Sequence, residues 1–316
     1  MKNIDNQYIY IKLKQNKVEQ KQILENVGAC PICGNISGNP FLVCKDFTVS
    51  KSDFEIVECS KCGFAFTSPR PLEKDLGKYY ESEEYISHSN TSKGIISRLY
   101  QMVRKHTLRK KLQLVNREGQ KGLLLDIGCG TGEFLNTVNL DGWKTIGIEP
   151  SLGARKQCVD NYKLDVRDEN ELANLPAKSF DVITMWHVME HVPHLQERVQ
   201  KLKELLKLNG VLIVAVPNRS SHDAKYYGAH WAAYDVPRHL WHFRAEDMRS
   251  LMSNSEFEVK QILPMKFDSY YVSMLSEKYK MGNNNLISAI WRGWISNRKA
   301  GAEGSSSLIY IIRNKK

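Results

Sequence analysis

From residue 122 onward, short apolar runs alternate with longer amphipathic stretches. GLLLD (Gly122–Asp126), KTIGIE (Lys144–Glu149), a stretch near Lys163–Val166, DVITMW (Asp181–Trp186) and GVLIVAVP (Gly210–Pro217) read as buried strands. Helical stretches such as GEFLNTVNL lie between them, which implies a parallel sheet with helices on both faces. FEVKQIL (Phe257–Leu263) and SLIYIIR (Ser307–Arg313) add two strands and make an open, doubly wound sheet of seven. The partly apolar stretch Asp268–Arg298 is too long for a hairpin loop and is expected to fold as helices over the sheet edge or an active-site mouth.

Upstream the pattern changes. Residues 1–28 alternate charged and β-branched positions and fit a strand or a short helix equally. Residues 29–69 close on FAFTSPRP, whose Pro69 and Pro71 mark a boundary. A helical bridge follows over 72–118, with the aromatic patch KYYESEEYISH (Lys78–His88) and a basic helix. The expected division is an extension at 1–28, a ribbon at 29–69, a bridge or cap at 70–119, and a sheet domain at 120–316. The last carries a lid around 225–245 and a helical insertion around 268–298.

With 316 residues, 42% hydrophobic and 25% charged, the chain has material for about two globular domains and is not disordered as a whole. Its longest apolar runs fall far short of the ~20 residues of a membrane helix. MKNIDNQYIYIKLKQ lacks the apolar core of a secretory signal, so a cytoplasmic protein without a membrane span is expected. Net charge is +10, and Arg98, Arg104, Lys105, Arg109, Lys110, Lys111 and Arg117 follow one another with no acidic residue among them. Such a face attracts nucleic acid or an anionic membrane, although a solvated helix surface is the plainer reading.

Four of the seven cysteines form two pairs, Cys30-Pro31-Ile32-Cys33 and Cys59-Ser60-Lys61-Cys62, with 25 residues between Cys33 and Cys59. Gly34 and Gly63 follow the pairs and permit the tight turn that brings backbone N–H groups to sulfur. Four thiolates close a tetrahedral zinc shell and leave no position for water, so a structural zinc ribbon is expected. Cys44, Cys129 and Cys158 lie outside that set.

The most informative segment is LLLDIGCGTG (Leu123–Gly132), a buried strand running into a glycine-rich turn that opens a helix. Ligands of open α/β sheets bind outside such strand ends. Glu149, 17 residues after Gly132, ends the second strand and can accept from both ribose hydroxyls. A dinucleotide site wants G-x-G-x-x-G, whereas the spacing here is G-x-G-x-G preceded by Asp126. An anionic Asp suits an ammonium group better than a diphosphate, which points to S-adenosylmethionine.

LLLDIGCGTGEFL, GIEPS and SFDVITMWHVMEHV resemble motifs of the class I S-adenosylmethionine-dependent methyltransferases over about 120–265. The ribbon-first layout, YYESEEYISH, PRHLWHF and SSSLIYIIR resemble bacterial zinc-ribbon-bearing members of that superfamily, of small-molecule type. The resemblance implies a Rossmann-like seven-stranded sheet of order 3-2-1-4-5-7-6, its last strand antiparallel. It places Asp126, Gly128, Cys129, Gly130 and Gly132 around the methionine portion, Glu149 on the ribose and Pro150 by the adenine. Of Asp168 and Glu171, the reading favours Glu171 for the adenine amino group.

On the acceptor side, Trp186 and His187 end the fourth strand facing the cofactor, with His187 the first candidate for a base or an orienting group; a local hydrogen bond to the methionine end of the cofactor or to backbone is the equal alternative. Trp231–Phe243 reads as an acceptor lid. Within it Arg238 is suited to gripping an anion, Tyr234 and His242 line the pocket, and His239 is a second catalytic candidate; a packing segment is the alternative. Tyr79, Tyr80, Tyr85 and His88 either close over the sulfonium or form the bridge core. His187-x-x-Glu190-His191, with His239 downstream, is similar to the metal-binding E-x-x-E-H of ubiquinone-pathway and small-RNA methyltransferases, with His187 in place of the first Glu; a second divalent ion is the sharper reading, and Glu190 and His191 as structural partners at a helix start the plainer one. The implied reaction is O-methylation of a small-molecule acceptor. Sugar C-methylation, or RNA or protein modification docked through the ribbon and basic helix, are the alternatives.

Overall fold

The computed structural model describes residues 8–11, 22–80, 95–266, 268–282, 293, 298 and 303–315. The strands in chain order are β1 (Tyr8–Ile11), β2 (Gln22–Glu25), β3 (Gly38–Lys45), β4 (Asp53–Cys59), β5 (Ala65–Thr67), β6 (Arg70–Pro71), β7 (Leu123–Ile127), β8 (Lys144–Ile148), β9 (Val166–Arg167), β10 (Phe180–Trp186), β11 (Leu206–Pro217), β12 (Trp241–His242), β13 (Phe257–Pro264) and β14 (Ser307–Asn314). They divide between two units. One comprises 1–91, 217–247 and 268–306; the other comprises 92–216, 248–267 and 307–316.

The second unit holds the seven-stranded sheet, in the order β13-β14-β11-β10-β7-β8-β9. Counted from β7 as the first strand, this is 3-2-1-4-5-7-6, as the resemblance implies. β7, β8, β9, β10 and β11 pair in parallel, whereas β13 and β14 pair antiparallel, Phe257 opposite Asn314 and Leu263 opposite Ile309. The central strands are buried on both faces, which is why they read as unbroken apolar runs: Leu124, Leu125, Val182, Ile183 and Val211–Val216 are all fully buried. The helix Leu195–Leu205 covers the sheet with Leu195, Val199, Leu202 and Leu205, spaced to share one face. The long helix Ile95–Glu118 delivers Leu114 and Val115 into the core that holds Leu124, Leu135, Val182 and Ile213.

The first unit is built from a four-stranded sheet, β12-β5-β4-β3, and a three-stranded one, β1-β2-β6. β3 and β4 form the hairpin spanning the gap between the cysteine pairs. The loop at its tip is wound on Asp46, whose carboxylate accepts from the backbone N–H groups of Thr48, Val49 and Ser50 at 2.7–3.1 Å. Residues 217–247 belong to this unit and not to the sheet domain, because their aromatic side chains complete its core. Trp231, Tyr234 and Val236 pack with Phe54, Ile56, Ala65 and Tyr79, and Trp241 and His242 pair with Phe66 and Ala65 as an added strand. The helix Asp268–Met281 joins the same core through Val272. Conversely, the basic helix, expected in a separate bridge, packs within the sheet unit. Of the aromatic patch, Tyr79 is buried edge-on to Phe54, 5.9 Å between ring centres, while Tyr85 and His88 lie outside the described residues. Among the described residues no helix is long and apolar enough to cross a membrane.

Candidate active site and cysteine cluster

The glycine loop follows β7 directly. Gly128, Gly130 and Gly132 adopt φ of +72°, +55° and +84°, the left-handed region that glycine alone enters at no steric cost. Their surroundings differ. A Cβ on Gly128 would stand 2.3 Å from Val188 Cγ2, and one on Gly132 2.8 Å from Cys158 Sγ, whereas one on Gly130 meets nothing within 4 Å. Gly128 and Gly132 are therefore required by packing. Gly130 faces open space, which suits the approach of a ligand to backbone.

Glu149 follows β8 and is 8% exposed. Its carboxylate accepts from Gly130 N at 2.9 Å and from Ser151 N at 2.9 Å. Burial pushes its pKa up, against the pull of those two N–H groups. Asp126, in register with Thr184 of β10, accepts from the Thr184 hydroxyl at 2.6 Å. Burial pushes the Asp126 carboxyl up to about 7, with Thr184 and the Lys111 cation opposing. Cys129 is buried beneath the loop, its N–H donating to Ile148 O at 3.1 Å.

Arg155 ties the ends of β8 and β9 together. It donates to the carbonyls of Glu149 at 2.6 Å and Pro150 at 2.8 Å and pairs with Asp168 at 2.8 Å. Asp168 directly follows β9, whereas Glu171 is exposed on the next turn with Asn174 Nδ2 at 3.4 Å. No motif marks Arg155, because its role depends on two strand ends coming together.

Trp186 ends β10 with Phe134 edge-on at 5.4 Å between ring centres. The Lys111 ammonium sits over the same indole at 4.3 Å. One helical face of Ile95–Glu118 thus turns toward the glycine loop, since Arg104, seven residues before Lys111, pairs with Glu133, the residue after Gly132. His187 follows at φ +58°, an uncommon conformation for a side chain with a Cβ. Its Nδ1 lies 3.2 Å from Glu190 Oε1, and Glu190 is fully buried.

The residues expected to grip the acceptor have other partners. Arg238 is 1% exposed, and its guanidinium donates to both oxygens of Asp235 (2.9 and 2.5 Å), to Asp46 Oδ1 at 3.1 Å and to Tyr79 O at 3.1 Å. This corrects the expectation of an anion grip, because the fork is already spent on two carboxylates. Tyr234 is 3% exposed and packs edge-on against Trp231 and His242. His242 is buried on β12, with its pKa pushed well below the usual value by burial and by the His239 and Arg219 charges. The Thr67 hydroxyl donates to His239 O at 2.8 Å, so neutral His242 donates from Nε2 to Thr67 Oγ1 at 3.0 Å. His239 Nδ1 donates to Ala233 O at 2.8 Å. The packing alternative thus describes Tyr234, Arg238 and His242. The expected second metal set draws on both units, His187, Glu190 and His191 from one and His239 from the other.

Cys30, Cys33, Cys59 and Cys62 bring their Sγ atoms within 4.8 Å of one another. Cys30–Cys62 and Cys33–Cys59 are each 3.5 Å apart, close to the ~3.8 Å edge of a tetrahedron with Zn–S of ~2.3 Å. Gly34 and Gly63 take φ of +70° and +72° and close matching turns onto Cys30 O and Cys59 O at 2.9 and 2.8 Å. Burial would raise the Cys59 thiol, but N–H groups of Cys62, Asn35 and Lys61 outweigh it and bring it down to about 6. The cluster fits a zinc ribbon.

A family model described as a methyltransferase domain matches residues 100–262. The ubiquinone biosynthesis O-methyltransferase of Rhodopseudomonas palustris (strain TIE-1) is 31% identical over 127 residues, 37% of this chain and 50% of that one. The protein of the same name from Rickettsia prowazekii (strain Madrid E) is 24% identical over 226 residues, 66% of this chain and 86% of its own. The chain spans about half the length of the first of these curated relatives. Among solved structures, magnesium protoporphyrin IX methyltransferase from Synechocystis PCC 6803, with bound SAH, superposes with a TM-score of 0.50 at 12% identity, covering 77% of this chain and 100% of that one. At that identity the likeness speaks for the fold. The family match takes in more than half of the residues, and the strand order and glycine loop agree with it: the chain belongs to the methyltransferase domain family, of the class I S-adenosylmethionine-dependent type.

Proposed function

We propose that this protein transfers a methyl group from S-adenosylmethionine to an oxygen of a small-molecule acceptor. The observation that carries the reading is the open left-handed Gly130 beside Glu149, a cradle of backbone and carboxylate with no side chain in the way. When bound, S-adenosylmethionine supplies an electrophilic methyl group on a sulfonium. Glu149 keeps lone pairs for the ribose hydroxyls after accepting two N–H bonds. Asp126 suits the ammonium, whose charge favours the ionised carboxylate, and Lys111 supplies a cation for the carboxylate of the methionine portion. For the adenine amino group Asp168 replaces Glu171, since Arg155 holds it at the end of β9. His187, oriented by buried Glu190, takes the acceptor's proton.

The O-methyltransferase activity for which the relatives are named supports a hydroxyl acceptor. In the ribbon, the four cysteines hold a structural zinc. A macromolecular acceptor is the second reading, because exposed Lys105, Arg109 and Lys110 have no ion-pair partner among the described residues; binding to RNA that weakens steeply with salt would favour it. Calorimetry with S-adenosylmethionine, S-adenosylhomocysteine and NAD tests the cofactor assignment, followed by labelled-methyl transfer to phenolic acceptors. Tight NAD binding without uptake of either sulfur compound overturns it.

A further inference from the structure

Two arginines tie the segment that leaves β11 to the second cysteine turn. Arg219, two residues beyond Pro217, donates from Nη2 to the Gly63 carbonyl and to Glu58 Oε1 at 2.8 Å. Its side chain is 6% exposed, with the guanidinium over the Phe41 ring at 5.1 Å. Arg244, near the other end of the segment, donates from Nη2 to Cys62 O at 3.0 Å and is held by both oxygens of Asp247 at 2.8–3.0 Å. A Cβ on Gly63 would stand 3.0 Å from Arg244 Nη2, so the glycine serves the arginine's approach as well as the turn.

Neither arginine needs to touch sulfur to act on it. A peptide unit is planar, so fixing a carbonyl fixes the N–H on its far side. Arg219 fixes Gly63 O and thereby the N–H of Phe64, which donates to the Cys62 sulfur. Arg244 fixes Cys62 O and thereby the N–H of Gly63, which closes the turn onto Cys59 O at 2.8 Å. A cation pulling on each carbonyl also polarises the peptide and strengthens the N–H donor at its other end. The start of the segment has backbone anchors of its own: Arg219 N donates to Phe243 O at 2.9 Å, and its neighbour Asn218 N donates to Ser306 O at 2.7 Å.

We infer that Arg219 and Arg244 are positioning residues of the four-cysteine site, and that metal held there fixes both ends of Asn218–Asp247. The inference rests on the zinc reading above. It makes the ribbon more than a folding aid, because its loading state sets the order of the chain that follows the fifth strand of the sheet.

The test uses the full chain. Zinc affinity is measured by competition with a chelating dye, and site geometry by the thiolate charge-transfer bands of the cobalt form. Amide exchange is followed with and without metal. Arg219→Gln and Arg244→Gln are expected to weaken zinc by about 10- to 100-fold, with partial recovery in Arg219→Lys and Arg244→Lys. The double variant Arg244→Gln/Asp247→Asn guards against unfolding from a stranded buried carboxylate. In the parent protein, metal removal is expected to raise exchange at 218–247 as well as at 30–67. Glutamine variants with parental zinc affinity and cobalt bands, or exchange confined to 30–67, overturn the inference while leaving the zinc reading intact. A parent chain that takes up no zinc overturns both.

Discussion

Arg238 and Asp46 meet at 3.1 Å across 192 residues of sequence, with side chains 1% and 0% exposed. Asp46 winds the β3–β4 loop around its carboxylate while Arg238 comes from the segment after β11, so one buried pair joins two distant stretches of the same unit. Removing Arg238 leaves the Asp46 carboxylate buried without a countercharge, whereas removing the Asp46 charge leaves Arg238 paired with Asp235. Arg238→Met is therefore expected to destabilise this unit by about 3–5 kcal/mol, and Asp46→Asn by less, in denaturant titrations. The double variant should lose less than the sum of the two.

The same pair has a pH signature. Burial would raise the Asp46 carboxyl, but the Arg238 charge and the loop N–H groups outweigh it and hold it at about 2 against an ordinary 3.8. A depressed acid stabilises above its unfolded pKa and loses that contribution as the folded form protonates. The contribution of Asp46 is thus full above about pH 4 and lost as pH falls through about 2. Acid titration of Asp46→Asn should lack this part of the slope.

The glycine loop separates affinity from stability. Gly130→Ala meets no atom, so its fold should survive within the ~1–2 kcal/mol of a left-handed alanine, yet S-adenosylhomocysteine should bind at least about tenfold more weakly. Gly128→Ala collides with Val188 and should lower the melting temperature well beyond the Gly130 variant. Thermal melts beside calorimetry read both, and equal cofactor affinity in parent and Gly130→Ala would remove the loop from the site.

Asp168 and Glu171 make opposite predictions. Asp168→Ala should weaken cofactor binding, and Arg155→Gln should do the same by releasing Asp168 and the carbonyls of Glu149 and Pro150. Glu171→Ala should bind as the parent does. The reverse ranking in calorimetry restores the residue favoured from spacing alone.

For the proton, His187→Gln should reduce kcat by about 10²–10⁴-fold while leaving S-adenosylmethionine affinity near that of the parent. Glu190→Leu removes the ring's hydrogen-bond partner, so kcat should fall while S-adenosylmethionine affinity stays near that of the parent. Parental kcat in both the His187 and the Glu190 variant would make His187 a structural residue.

What could be seen in the sequence follows from the range of the forces involved. Buried parallel strands must be apolar along their whole length, so Leu123–Ile127, Phe180–Trp186 and Leu206–Pro217 announce themselves. The glycines of the loop and of the cysteine turns are equally visible, because positive φ excludes most other residues. The cluster Trp231–Phe243 was misleading in a specific way: aromatic, His and Arg side chains serve a buried strand and a ligand lid equally well. Only the placement of Asp46, Thr67 and Phe66 against it distinguishes the two. Lys111 and Arg155 were invisible for a related reason, since each draws its role from residues brought close by the sheet and not by the chain.

The interleaving of the units bears on how the protein is made. Each is assembled from three separate stretches, and β14 inserts between β11 and β13 although it follows both in the chain. As the chain leaves the ribosome, Phe54, Ile56 and Ala65 wait for Trp231 and Tyr234, and β11 stands at an open edge until residues 307–314 emerge. Nascent forms with such late closure expose sticky surface for much of their synthesis, so yield in a cell-free system should depend on holdase chaperones more than on the stability of the finished molecule.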